Sequence, residues 1–264
     1  MRFRQCGVAA FFCAVLFGGA LGVTGASAHD TPASADLPAL VRNIKQSLVG
    51  IGSFAVMRTP ALELKGTGFV VGDGRYVITN YHVIARQVDK SAKEKLVVIV
   101  GTGRQYRDRE AEIVQIDPDH DLALLRMEGE PLPPALLGSG ALLPEGTSIA
   151  ITGFPIGSVL GVYPVTHVGV VAAITPIRVP QVNSQLLDSR MIMRQPFDVY
   201  QLDLTAFPGN SGSPLYDART GRVEAILNST FVKETKERAL SEPTGISFAI
   251  PIVYAHQLMK KQGL

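Results

Sequence analysis

Cysteine is almost missing from the 264-residue sequence: Cys6 and Cys13 are the two present, both near the N-terminus. If that leader is removed, the rest of the chain has neither thiol nor disulfide, which suits an oxidising compartment. Cys13 follows Phe11-Phe12 rather than the small residues of a lipoprotein signal, so lipidation is not expected. Excess charge of one sign is missing too. The formal net charge is +2 and falls to zero once Arg2 and Arg4 leave with the leader. The densest basic cluster, Lys90, Lys93 and Lys95, is interrupted by Glu94 and reads as a solvated loop. The clustered basic face of a nucleic-acid binder is therefore absent, and no nucleic-acid partner is expected. His29, His120, His167 and His256 have no metal-ligand spacing, so neither a metal nor another cofactor is expected. Long apolar runs are scarce: beyond Gly7 to Val23, no segment is long and apolar enough to span a bilayer.

What is present begins with that run. Arg2 and Arg4 precede it and Ala26-Ser27-Ala28 follows it, the pattern of a secretory signal peptide over residues 1–28. An uncleaved anchor is the alternative, because the run approaches the minimum spanning length. Cleavage would leave a protein free of the membrane, in the periplasm or secreted. Residues 29–38 read as a polar linker containing Pro32. With 46% hydrophobic and 18% charged residues, the remainder can bury a sizeable core.

Leu37, Leu40, Val41, Ile44 and Leu48 fall on one helical face, with Asp36 as the expected N-cap. Beyond Val49 the pattern becomes short runs rich in Val, Ile, Phe and Thr between Gly, Pro and Asp signals. Strands are expected near 50–57, 64–71, 75–79, 95–100, 111–116 and 122–127. A second series is expected near 147–153, 163–174, 199–204, 213–216, 222–230 and 245–250. Gly72-Asp73-Gly74 marks a tight turn. The stretch Glu130 to Pro144, with four prolines, divides the two series, and a short helix is expected after Pro251. The pattern indicates an all-β protein, a sandwich or a pair of barrels.

Three segments carry chemistry: Ile78-Thr79-Asn80-Tyr81-His82-Val83-Ile84, Asp117-Pro118-Asp119-His120-Asp121-Leu122, and Pro208-Gly209-Asn210-Ser211-Gly212-Ser213-Pro214. Singly, each has a bland reading: a packed core histidine, a turn or cap aspartate, a turn signal. Together, and in the order His, Asp, Ser, they resemble a chymotrypsin-fold serine peptidase, most closely the protease module of the HtrA/Deg proteases. Gly66-Thr67-Gly68-Phe69-Val70, Gly153-Phe154-Pro155-Ile156-Gly157, Val165-Thr166 with Gly169-Val170-Val171, and Gly245-Ile246-Ser247-Phe248-Ala249-Ile250-Pro251 add to the resemblance.

The resemblance implies two six-stranded antiparallel β-barrels, about 39–130 and 145–255, within a peptidase domain spanning 39–264. His82 and Asp121 would come from the first barrel and Ser211 from the second. A serine hydroxyl is a poor nucleophile until a base removes its proton as it attacks. An imidazole suits that task, because its reference pKa of about 6.5 leaves it mostly neutral at pH 7. A buried carboxylate fixes its tautomer and stabilises the imidazolium that forms. His82 would be base and then acid, Asp121 its orienter and Ser211 the nucleophile. The Gly209-Asn210-Ser211 run would form the oxyanion hole, with the amides of Gly209 and Ser211 as donors. Asp121 is preferred to Asp119 because the apolar run begins at Leu122, and His120 is given a structural role in the loop.

The resemblance also places the residue six before the nucleophile, Thr205, at the base of the S1 pocket. Ala206, Ile226, Leu227, Ile246 and Phe248 would line it. No charge is present there, so cleavage after Val, Ala, Ile or Leu is expected. The segment Ile174 to Asp198 shows no clean strand period and occupies the place of a regulatory loop in HtrA relatives. No PDZ domain follows the protease module within this sequence, so PDZ-based substrate delivery is not carried over. Polypeptide substrates are implied, while oligomerisation stays open. Two rivals remain. An esterase of the α/β-hydrolase type needs Gly-x-Ser-x-Gly and the order Ser, Asp, His, and both are absent. A catalytically inactive protease-fold protein that binds peptides or scaffolds is the alternative.

Overall fold

A computed structural model describes residues 36–85, 94–155, 161–177, 196–228 and 245–264. The expected leader, much of the expected linker, and most of the segment expected to be regulatory lie outside the described residues. Among the described residues the chain is all-β apart from short helices, and twelve strands close into two six-stranded antiparallel barrels. Barrel one contains β1 (Leu48–Phe54), β2 (Leu62–Val71), β3 (Tyr76–Asn80), β4 (Lys95–Thr102), β5 (Gln105–Asp117) and β6 (Leu122–Met127). Its strands follow the order β1-β2-β3-β6-β5-β4 and close through the β1–β4 pair. Barrel two contains β7 (Ser148–Gly153), β8 (Val165–Ile177), β9 (Phe197–Asp203), β10 (Pro214–Asp217), β11 (Val223–Asn228) and β12 (Ile246–Pro251), in the order β10-β11-β12-β9-β8-β7.

Many strands read as unbroken apolar runs because both of their faces are buried. On one face Val49, Ile51, Val70, Val77, Val98, Ala123 and Leu125 fill barrel one. On the other, Phe69, Val71, Ile78, Leu122 and Leu124 meet Ala150, Tyr216, Val223 and Ile226, forming the core between the barrels. The interior of barrel two is Ile149, Ile151, Val171, Tyr200, Leu202, Leu215 and Leu227. Each fully buried aliphatic or aromatic side chain contributes about 1.5–3 kcal/mol relative to exposure, so this double burial is the main support of the fold.

Helix α1 (Leu37–Gln46) buries Leu40 and Ile44 on the expected face. Asp36 occupies its N-cap, but no side-chain capping bond forms there. Helix α2 (Tyr81–Ala85) follows β3 directly, and α3 (Ile252–Lys260) ends the fold. The proline-rich connector is strapped across both barrels. Ala135 N donates to Val70 O at 2.8 Å, and Gly138 N donates to Val223 O at 2.8 Å. The β8–β9 hairpin extends to the Ile177–Phe197 pair, so Ile174 to Ile177 is strand rather than loop.

One buried acid makes a measurable demand on stability. Glu224 of β11 is 8% exposed. Burial, and then the charge of Asp217, push its carboxyl above the ordinary value, while Arg222 and His256 oppose the shift. The folded state therefore holds this proton more tightly than the unfolded chain does. Stability contributed by that difference is present below the unfolded pKa and is lost as pH rises through the folded one. Glu224→Gln should raise Tm by a few degrees at pH 7. The gain should vanish toward about pH 4, where the acid is protonated in both states. A lower Tm for the variant at pH 7 would show that the ionised carboxylate supports the fold.

Candidate active site

His82 owes its position to the shortness of α2. Val83 and Ile84 are buried in barrel one and hold the helix down, which turns the preceding residue outward. Tyr81 N donates to Asp121 O at 3.0 Å, and Asn80 Nδ2 donates to the same carbonyl at 3.1 Å. The ends of β3 and β6 are thus pinned together where the two side chains must meet.

Asp121 is 3% exposed and has a φ of +53°. Its Oδ1 accepts the backbone N–H of His82 at 2.8 Å. Its Oδ2 lies 2.6 Å from Nδ1 of His82 and accepts Nδ2 of Asn228 at 2.6 Å. A carboxylate can only accept. Nδ1 of His82 therefore carries the ring proton, and Nε2 is left with the lone pair that a base requires. The imidazole keeps contact with solvent, its side chain being 21% exposed, while the carboxylate is sealed.

Ser211 lies on the turn before β10, at the seam between the barrels. Its carbonyl accepts Thr67 N at 2.8 Å. A Cβ on Gly66 would come within 2.6 Å of Val83 Cγ1 and 3.2 Å of the Ser211 carbonyl oxygen. The bare glycine thus lets β2 run close to α2 and the serine turn together. Thr67 Oγ1 donates to Gly209 O at 2.8 Å and accepts Phe154 N at 3.0 Å. One hydroxyl thus joins barrel one, the serine turn and the end of β7. On the other flank, Gly212 N donates to Leu227 O at 2.9 Å, one residue before Asn228 reaches Asp121. Gly209 and Gly212 have φ of +97° and +85°, a region that glycine enters without strain.

Within the Gly209-Asn210-Ser211 run, the N–H of Asn210 donates to Phe207 O at 3.0 Å, in keeping with an expectation that named the amides of Gly209 and Ser211, and not this one, as donors. Two residues expected in the S1 wall are corrected. Ile226 packs in the core between the barrels and Leu227 inside barrel two, both with no exposed surface. A strand with both faces in cores presents nothing to a ligand until it ends, at Asn228. Thr205, Ala206 and Phe248 are half-buried, and Ile246 is 47% exposed. Ser247 Oγ donates to Leu204 O at 2.6 Å and ties β12 to the start of the Thr205 loop.

Sequence reasoning missed three residues here. Asn228 is legible as the one polar residue closing an apolar strand. Thr67 carries no signal beyond its glycine neighbours. His167 shares a face with Ile151 and reaches the rim of barrel two, its ring centroid 5.9 Å from that of Phe207. Burial pushes its imidazole below the ordinary value, so it stands beside the Thr205 loop as a neutral group.

A family model described as a trypsin-like peptidase domain matches residues 66–226. Protease Do-like 5, chloroplastic, from Arabidopsis thaliana is 32% identical over 195 residues, which cover 72% of this chain and 54% of the relative. A probable periplasmic serine endoprotease DegP-like from Halomonas elongata is 31% identical over 191 residues, covering 71% of this chain and 32% of the relative. The chain therefore spans about half the length of the first relative and about a third of the second. Among solved structures, Deg5 aligns with a TM-score of 0.60 and 27% identity over 83% of this chain and 90% of that one. The HtrA-type protease AlgW with tripeptide aligns with a TM-score of 0.61 and 25% identity over 85% of this chain and 62% of that one.

Proposed function

Because the chain belongs to the trypsin-like peptidase domain family, we propose that it is an exported serine endopeptidase that cuts unfolded or damaged polypeptides through His82, Asp121 and Ser211. The observation that carries this reading is the buried Asp121 carboxylate gripping His82 through both its backbone N–H and its ring. That grip sets one tautomer and one orientation, which a merely packed histidine does not need.

In this mechanism Nε2 of His82 takes the proton from Ser211 Oγ while Oγ bonds to the scissile carbonyl carbon. The carbonyl π electrons move to oxygen, and the amides of Gly209 and Ser211 donate to the resulting oxyanion. Collapse breaks the C–N bond, and the imidazolium gives its proton to the departing amine. An acyl-enzyme remains. Water then repeats the cycle, with His82 again the base, and releases the acid and Ser211. Asp121 stabilises the imidazolium in both halves without taking its proton. Export rests on the leader at residues 1–28 and on the periplasmic relatives.

Thr205, Ala206 and Phe248 border the expected S1 region, with the neutral ring of His167 behind the Thr205 loop. A lysine, arginine or acidic side chain buried there would lack a charge partner, which is costly. The enzyme should cut casein mainly after Val, Ala, Ile or Leu. One methylene in such a pocket is worth about 1–3 kcal/mol, so the preference should be graded. Mass-spectrometric mapping of the cut sites is the test. A majority of cuts after charged residues would refute the pocket assignment. No cuts at all, in folded protein, would refute the peptidase reading.

A further inference from the structure

The residue before the site aspartate is held far more firmly than a turn requires. Asp117 ends β5, and its carboxylate organises the residues that follow. Its Oδ1 accepts the backbone N–H groups of Asp119 and His120, at 3.2 Å each, and its Oδ2 lies 2.8 Å from Nδ1 of His120. Burial alone would raise the Asp117 carboxyl. The ring hydrogen bond and charge of His120, its backbone N–H and the charge of Lys261 outweigh burial and hold that carboxyl below its ordinary value. An ionised Asp117 accepts, so Nδ1 of His120 donates.

The same imidazole is wedged between two aromatic rings. It stacks on Tyr254 of α3, with centroids 4.0 Å apart and planes at 21°. It meets Phe197, the first residue of β9, edge-on at 4.7 Å and 72°. Phe197 and Tyr254 also touch each other, at 5.3 Å and 72°. Two segments distant in sequence, β9 and α3, thus close on one side chain of the turn.

This clamp stands where the backbone needs one. Among the described residues, Asp121 is the one non-glycine with positive φ. Such a conformation costs on the order of 1–3 kcal/mol and persists where surrounding contacts over-determine it. On its C-terminal side, Leu122 is paired with Asn80 and Asp117. On its N-terminal side, the peptide plane whose rotation φ measures is the one that begins at His120.

We propose that His120 is a positioning residue for Asp121. It closes the Asp117 turn and locks its ring against Phe197 and Tyr254, so that the Asp121 carboxylate meets His82 in a single orientation. The proposal rests on Asp121 being the site carboxylate, and His120 itself touches no reacting atom.

Two variants separate the hydrogen bond from the packing. His120→Asn can place its amide nitrogen against Asp117 but loses the stack on Tyr254. His120→Phe keeps the stack and loses the hydrogen bond. Three quantities are measured: kcat and KM on a peptide, Tm, and the far-downfield proton resonance of Nδ1–H of His82 in its hydrogen bond to Asp121. His120→Phe should lower kcat about 10–100-fold with KM within about twofold, and weaken or broaden the resonance, while Tm falls only by the few degrees expected from the lost hydrogen bond to Asp117. His120→Asn should lose Tm but retain more of kcat and of the resonance. If both variants keep wild-type kcat and an unchanged resonance, His120 only packs and the proposal is overturned. A wild-type protein with the resonance but without hydrolysis would refute the peptidase reading instead, and the resonance comparison would still decide the role of His120.

Discussion

Ser211→Ala is expected to lower peptide hydrolysis on the order of 10^6-fold and to abolish labelling by a fluorophosphonate probe. The fold should survive. The contacts that hold the turn run through its backbone: Ser211 O accepts Thr67 N, Gly212 N donates to Leu227 O, and Ser213 N donates to Asn210 O. None of these uses the serine hydroxyl. Circular dichroism and thermal melts should therefore match wild type closely, while casein cleavage disappears. Among the described residues the neighbouring hydroxyls are poorly placed to replace the lost nucleophile: Ser213 is fully buried. Thr67 Oγ1 is committed to Gly209 O and Phe154 N, and Thr79 Oγ1 to Thr67 O. His82 and Asp121 alone can orient a water but cannot form an acyl-enzyme. Hydrolysis near the wild-type level would remove Ser211 from the mechanism. Wild-type protein that is folded but resists the probe under all conditions would favour a peptide-binding role on the same fold.

Much of this arrangement could be read from the sequence, for a physical reason. Strands with both faces buried appear as unbroken runs of Val, Ile and Leu, and turns need glycine where φ is positive. Each of the twelve expected strands has a counterpart in the two barrels. The largest discrepancies fall where burial fails as a signal. The first half of β5, Gln105 to Glu110, is mostly exposed and polar, so its strand character comes from pairing with β4 rather than from its own residues. Helix α2, with five residues, is too short to show a period, so the sequence pattern gives no helix at His82. The resemblance implied Ile226 and Leu227 as pocket walls, but strand alternation sends them into two different cores. The His82–Asp121 pair was legible because both residues sit in distinctive local motifs. Asn228 shows only as the polar residue that closes an apolar strand, and Thr67 shows no signal at all, because what it does depends on β2 and β7 converging on the serine turn, which no local pattern reports.

That seam is also where the smallest substitution should do the most structural damage. Gly212 has a φ of +85°, where a side chain is strained. A Cβ there would overlap the Thr67 carbonyl oxygen and come within 2.5 Å of Thr79 Oγ1. Neither neighbour can yield cheaply. Thr79 Oγ1 donates to that same Thr67 carbonyl at 2.7 Å, and Thr67 N donates to Ser211 O at 2.8 Å. Moving Thr67 would also pull its hydroxyl from Gly209 O and Phe154 N. Backbone strain and overpacking each cost about 1–3 kcal/mol, and here they act on one atom. Gly212→Ala should therefore destabilise the protein by about 3 kcal/mol or more, lowering Tm by roughly 6–12 °C. In molecules that remain folded, the serine turn should be displaced from barrel one, so probe labelling per folded molecule should fall at least about tenfold. Thermal melts give the first quantity, and labelling well below the melt, normalised to folded protein, gives the second. If Tm falls but labelling per folded molecule is unchanged, the glycine serves packing alone. If neither changes, the close approach of β2 to the serine turn is not a feature of the protein in solution.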